Sequence, residues 1–490
     1  MSKAIVIGGG FGGMASALRL KAKGYDVTIV DQCERLGGRA QQFIVDGFIF
    51  DAGPTVVTAP FLFEELFQLF GKKLCDYIDL VPVEPWYRFV YPDGTSFDYG
   101  GTIEDTLANI AEIEPADKQG YLRLLDQSES IFDVGFTQLS STPFHQLSTM
   151  LATVPSLIRL KCYRTVWQMV CAYLDNDKLR QAFSIQPLLV GGNPFATTSI
   201  YSLIHFLERK WGVHFAMGGT GAIVDGLSKL MREEEIDVRL NTRVTGLNLT
   251  GSVITSVETT DGSLSADKVI SNIDPKFLYG DLLDDKAQSF SAKLKTKHAS
   301  LSMGLFVLYF GTTKRYEDIV HHTIWLGKRY KALLSDIFDK KVLADDFSLY
   351  LHRPTATDPS MAPEGCDSFY VLAPVPNQLS GIDWSEEQEG YADKIVAALE
   401  RTIMPSLSEH LVHRFIKTPR DFELDYSSVQ GSGFSIAPTF QQSAWFRYHN
   451  LGEGPDNLYL CGAGTHPGAG LPGVLSSAKV VDELIPQATG

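Results

Sequence analysis

Residues 3–20 read KAIVIGGGFGGMASALRL, and few architectures can accommodate such a run. One lysine is followed by fifteen uncharged residues, a length that would suit a secretion signal or a membrane anchor. Gly8, Gly9, Gly10, Gly12 and Gly13 would cripple the unbroken apolar helix that either one needs. Divided at the glycines, the segment predicts a short buried strand over Ala4–Ile7 and a helix over Met14–Lys23 that ends near Gly24. A second strand is expected over Tyr25–Val30. The turn between strand and helix is G-x-G-x-x-G, formed by Gly8, Gly10 and Gly13, with Gly12 inside it. Gly8 permits the tight turn, Gly10 lets the backbone approach a pyrophosphate, and Gly13 lets helix and strand pack closely. The helix start offers free N–H groups and partial positive charge to a diphosphate. Asp31 follows the second strand, about 20 residues on, where a carboxylate binds ribose hydroxyls. Glycine-rich turns are common; strand, helix and acid in register point to a dinucleotide.

Gly37-Gly38 would bring the chain past the same ligand again, and Arg39 can face a phosphate. A hairpin over Gln42–Val45 and Phe48–Asp51, turning at Asp46-Gly47, leads into DAGPT (51–55), which carries Thr55. An N-terminal position, a second glycine pair and DAGPT favour FAD over NAD. The far end repeats the device in NLYLCGAGTHPGAGLPGVLSSAKV: a strand at Leu458–Cys461, a turn containing Gly462, Gly464, Gly468 and Gly470, then a helix from near Gly473 towards Leu484. Its expected use is to cover the flavin ring with backbone.

The net charge of −15 argues against nucleic acid and against general attraction to anionic lipid. The six cysteines (Cys33, Cys75, Cys162, Cys171, Cys366 and Cys461) form no CxxC pair, so neither a zinc site nor a dithiol centre is supported, and a reducing cytoplasmic compartment is expected. No metal is expected: adjacent residues such as His321-His322 seldom point at one ion. There is no spanning apolar run. No nucleophile elbow, HExxH or diagnostic carboxylate pair is present, so no catalytic residue is assigned. His466, in the last glycine turn, suits a position near the flavin or a hydrogen bond that holds the loop.

With both glycine turns, the segments LLVGGNPFATTSIYSLIHFLE (188–208), WGVHFAMGGTGAIVDGLSKL (211–230), LFVLYFG (305–311), FSLYLHRPTATDPSMAPEG (347–365) and QSAWFRYHN (442–450) make the chain resemble the bacterial-type phytoene desaturases, carotenoid desaturases of the flavin amine oxidase superfamily. The likeness spans essentially the whole chain, and GAGTHPGAGLPGV is its most specific part. One departure is Asp31, where many relatives carry Glu. The resemblance implies an α/β fold: a Rossmann-like FAD domain assembled from residues 1–75, 212–290 and 450–490. It implies an inserted α+β substrate domain (76–211 and 291–449) with a mixed sheet and a helical, membrane-facing region at 134–174. It places Gly8, Gly10, Gly12, Gly13, Asp31, Gly38, Arg39, Thr55 and Gly464 in FAD-binding segments. Val244, on a strand running from Asp237–Leu240 to Arg243–Val244, would flank the adenine.

The implied reaction is stepwise desaturation of phytoene to neurosporene or lycopene, with quinone or oxygen as electron acceptor. Hydride would pass to the flavin and a proton would leave the adjacent carbon, with the protein supplying orientation and dryness. A ketolase or oxygenase, a hydroxycarotenoid or C30 desaturase, and a lipid-binding chaperone of the GDP-dissociation-inhibitor type remain open on the same scaffold. An amine oxidase is disfavoured because no aromatic cage is apparent. The aromatics of the substrate segments (Phe195, Tyr201, Phe206, Trp211, Phe306, Tyr309, Phe310, Trp445 and Phe446) are expected mostly in the core, with some lining an apolar tunnel.

Phytoene resides in lipid, so the protein is expected at a membrane surface. Residues 134–174 contain no Asp or Glu, but do contain Arg159, Lys161 and Arg164. Pro155 suits a helix start. Leu160, Tyr163, Val166, Trp167, Val170, Tyr173 and Leu174 then recur at helical spacing, either as a core stripe or as an inserted face. Three basic residues supply about 3 kcal/mol near an anionic surface. Each large apolar side chain buried in lipid adds roughly 1.5–3 kcal/mol, so insertion should outweigh charge.

Overall fold

The computed structural model describes residues 2–488. Its organising element is a five-stranded, all-parallel sheet in the order Leu458–Leu460, Lys268–Ser271, Lys3–Ile7, Asp26–Val30, Asp237–Arg239. Three well-separated stretches of chain therefore build one sheet. Ala4 and Val6 are wholly buried, as a central parallel strand covered on both faces requires. The first helix runs Phe11–Ala22 and packs along the last, Leu471–Leu484. Both start a little earlier than the sequence suggests, and Gly12 and Gly13 fall in the first turn of the former. A Cβ on Gly13 would lie 2.0 Å from the Gly8 carbonyl oxygen, so only glycine lets helix and strand meet there.

A seven-stranded mixed sheet forms the second layer, ordered Leu411–Lys417, Gly304–Thr312, Asp367–Val375, Leu349–His352, His322–Trp325, Tyr87–Val90, Ser96–Tyr99. All its pairings are antiparallel except that between His322–Trp325 and Tyr87–Val90. Strand Gly304–Thr312 is buried at every residue. Alternation explains how: Phe306, Leu308 and Phe310 pack beneath the helix Trp384–Thr402, whereas Leu305, Val307 and Tyr309 face the Phe48–Phe50 hairpin side. The hairpin turns at Asp46-Gly47, both with positive φ (47° and 84°), as a two-residue turn with the twist of its strands demands.

The stretch around Pro155 departs from expectation. A helix runs Leu147–Arg159 with Pro155 inside it, the chain turns at Lys161, and a short helix follows at Val166–Val170. Leu160, Val166, Val170 and Leu174 are core, packed with Phe183, Leu179 and neighbours, so the predicted stripe belongs to the interior. Tyr163 alone of that set is strongly exposed. The solvent-facing apolar residues lie one helix earlier: Leu147, Leu151 and Ile158. Val244 also differs, since it opens a separate three-stranded antiparallel sheet (Val244–Thr250, Val253–Thr259, Gly262–Ser265) instead of continuing Asp237–Arg239. Among the described residues, no helix is long and apolar enough to cross a membrane.

Candidate functional site

The glycine turns from the two ends of the chain meet. A Cβ on Gly12 would fall 3.3 Å from the Gly462 Cα and 2.5 Å from Asn272 Oδ1. Asn272 directly follows the strand Lys268–Ser271 and fills the space where three backbones converge. Around this junction lies a cavity of about 570 Å³. Its wall includes Gly8, Gly10, Gly12, Asp31, Gly38, Arg39, Thr55, Val244 and Gly464. Of the residues expected to contact FAD, Gly13 alone is not on the wall; it lies behind, setting the helix against the strand.

Asp31 is buried, and both its oxygens already accept backbone hydrogens: Oδ2 from Gly9 N at 2.6 Å and Oδ1 from Cys33 N at 2.8 Å. Burial raises its pKa, and these two bonds oppose the rise. The carboxylate thus shapes the turn as well as facing the cavity. Arg39 donates to Ser428 Oγ at 2.8 Å and to the Ser432 carbonyl, while its Nε has no partner. Burial lowers its pKa, with Asp274 countering. Asp274 Oδ2 is likewise buried without a partner. These orphaned polar atoms beside glycine-lined backbone suit a dinucleotide, whose phosphates and hydroxyls would pair them.

Thr55 connects the glycine region to the mixed sheet. Its Oγ1 lies 3.0 Å from the Tyr350 hydroxyl and 2.8 Å from that of Tyr370. Tyr350 in turn lies 2.7 Å from His322 Nδ1. The His321-His322 pair, set aside as metal ligands on sequence grounds, converges after all: with His352 from the neighbouring strand, nitrogens of all three lie within 4.8 Å of one another. Burial holds these imidazoles neutral, and His352 sits 3.6 Å from Asp51. His466 donates from Nε2 to the Leu139 carbonyl at 2.9 Å, and burial lowers its pKa to about 4. It both lines the cavity and ties the loop.

Beyond the glycine region the wall is mostly apolar, with Leu157, Leu188, Leu203, Leu207, Phe136 and Tyr330 among its residues. Of the nine aromatics expected in core or tunnel, only Tyr201 lines this cavity. Sequence reasoning missed Asn272, Asp274 and Tyr350. It also missed Arg447, which is wholly buried and donates to the carbonyls of Thr465, Ala463 and Gln442, fixing the C-terminal glycine turn from behind. QSAWFRYHN had marked its segment without revealing this task.

Residues 11–481 match the model of the family described as flavin containing amine oxidoreductase. The chain belongs to that family. It is 47% identical over 489 residues to the phytoene desaturase (lycopene-forming) of Pantoea ananas, covering 99% of each chain. It is 41% identical to the phytoene desaturase (neurosporene-forming) of Rhodobacter capsulatus, over 100% of this chain and 94% of that one. Among solved structures, an oxidoreductase from Methanosarcina mazei superposes with a TM-score of 0.69 at 16% identity, covering 98% of this chain and 100% of that one. The family's cofactor chemistry and the cavity's cradle agree, so the group that fits here is FAD.

Proposed function

We infer that this protein is an FAD-dependent phytoene desaturase that removes hydrogen pairs stepwise to give neurosporene, lycopene or both. The observation that carries the reading is a largely apolar cavity continuous with the glycine turns, in a chain that matches lycopene-forming desaturases along its full length. This level of identity favours a phytoene substrate over the ketolase and C30 readings.

Bound FAD would supply the hydride acceptor. The residues do the remainder. The N–H groups at the start of helix Phe11–Ala22 hold the diphosphate, Asp31 the ribose, and Val244 packs beside the adenine. Arg39 pairs with negative charge near Gly38. Thr55 and the Gly462–Gly473 turn border the ring. The apolar wall excludes water and aligns a substrate that offers no polar handle. FAD-binding segments at 1–75, 212–290 and 450–490 and substrate segments at 76–211 and 291–449 are the division we propose.

Substrate arrives from a membrane against which the protein docks peripherally on the cytoplasmic side. Helix Leu147–Arg159 supports this reading: Leu147, Leu151 and Ile158 face out beside the exposed Arg159 and Lys161, while Thr153 and Leu157 of the same helix line the cavity. The neighbouring segment repeats the pattern, with Phe440 and Phe446 exposed and Ser443 and Ala444 on the wall. A dissolved quinone or oxygen then takes the electrons. The test is incubation of protein, FAD and phytoene liposomes with a quinone, followed by identification of the polyenes; an unchanged phytoene spectrum refutes the assignment.

A further inference from the structure

The sequence FLERKW (206–211) has the look of a charged, solvated helix face, yet the fold buries its acid completely. Glu208 projects from helix Leu203–Trp211 onto the cavity wall, in a region otherwise formed by Leu203, Ile204 and Leu207. Oε1 accepts a hydrogen bond from the Tyr87 hydroxyl at 2.9 Å, and Oε2 is buried with no partner. A carboxyl held half-satisfied in a hydrocarbon site is costly and calls for a reason. Its position supplies one. The other carboxyls on this wall are accounted for at the glycine end: Asp31 accepts from the Gly9 and Cys33 N–H groups, Asp425 pairs with Lys417, and Asp274 accepts from Lys276 N beside the charge of Arg39. Glu208 instead sits at the end of a short chain of contacts from the cofactor segment: Thr55 to Tyr350, Tyr350 to His322, the His322 ring 5.9 Å from that of Tyr87, and Tyr87 to Glu208.

We propose that Glu208 is the catalytic residue that takes the proton in each desaturation, with Tyr87 as its positioning residue. The inference rests on the desaturase reading. Once one substrate carbon has given up hydride, for which bound FAD would be the acceptor, an allylic cation would remain. The electron pair of the adjacent C–H bond becomes the new double bond, and its proton moves to Glu208 Oε2. So acidic a cation needs no strong base, only an acceptor oxygen within reach in a dry cavity.

The groups facing Glu208 set when it can accept. Burial raises its pKa to about 8, while the Tyr87 hydrogen bond and Arg209 pull it down. Tyr99 and Tyr121 gather round Arg209 and stay neutral, and His205, one turn earlier, is lowered to about 4 and uncharged. The acceptor is the ionised form, so turnover rises with pH towards about 8. Stability has the opposite sign: the fold holds this proton, so it loses stability as pH rises through about 8.

The test compares wild type, Glu208→Gln and Tyr87→Phe, each loaded with FAD, on phytoene liposomes with a quinone across pH 6–9. Glu208→Gln should bind FAD normally, turn over about 100-fold more slowly and lose the acid limb. Tyr87→Phe should move the limb to higher pH. Apo wild type should lose melting temperature relative to apo Glu208→Gln as pH rises, a readout independent of turnover. Wild-type rates and an unchanged limb in Glu208→Gln overturn the proposal. If that variant does not fold, an unmoved limb in Tyr87→Phe overturns it. A wild type that makes no polyene overturns the desaturase reading, and this role with it.

Discussion

Asp31 shows how one side chain can serve both the fold and the ligand. Its two oxygens hold the Gly9 and Cys33 N–H groups, so the glycine turn is shaped before any ribose arrives. Asp31→Ala should therefore weaken FAD binding by about 10–100-fold, roughly 1.4–2.8 kcal/mol, as read by flavin fluorescence titration. Arg447 does the same for the C-terminal glycine turn. Arg447→Met would strand the carbonyls of Thr465, Ala463 and Gln442, with an expected loss of about 3 kcal/mol or more in denaturant unfolding. Local pattern made Asp31 legible, because the strand, the turn and the distance to the acid are all encoded within thirty or so residues. Arg447 and Glu208 were opaque for the converse reason. Their meaning depends on what lies across the fold, and charge in a helix such as FLERKW ordinarily means solvent.

Among the elements, the first strand–turn–helix and the hairpin at Asp46-Gly47 are the most transparent, since each follows from backbone requirements that only a few residues meet. Gly13→Ala tests the first directly. A Cβ 2.0 Å from the Gly8 oxygen must push helix from strand, and the variant should purify with little or no bound flavin. The helix Leu147–Arg159 was harder to read. Its periodic neighbour at 160–174 has the better helical stripe, but that stripe meets the core around Leu179 and Phe183. Periodicity reports that a face is covered and says nothing of whether protein or lipid covers it. Leu151→Asp combined with Ile158→Asp should reduce sedimentation with anionic vesicles at least tenfold. The melting temperature should stay within a few degrees, because both side chains face outward.

For the molecule as a whole, the membrane docking proposed above would have to overcome a net charge of −15. Apolar contacts along Leu147–Ile158 and at Phe440 and Phe446 would carry the binding, with Arg159 and Lys161 adding a minor share. High salt should therefore release little protein from membranes and mild detergent most of it, measured by flotation; complete release by salt would refute docking by insertion.

The central sheet has a consequence for how the molecule is made. Strand Leu458–Leu460 is an edge of the sheet that Lys3–Ile7 begins, and Gly462 lies against Gly12. During translation the first glycine turn must wait until residue 462 has been made before its counterpart exists. Until then the apolar wall lacks its closing side and is exposed to water, the circumstance in which nascent chains aggregate. Flavin can be locked in only once the strand Leu458–Leu460 and the turn after it have emerged, so coenzyme supply in the cell should govern the yield of folded protein as well as its rate of turnover.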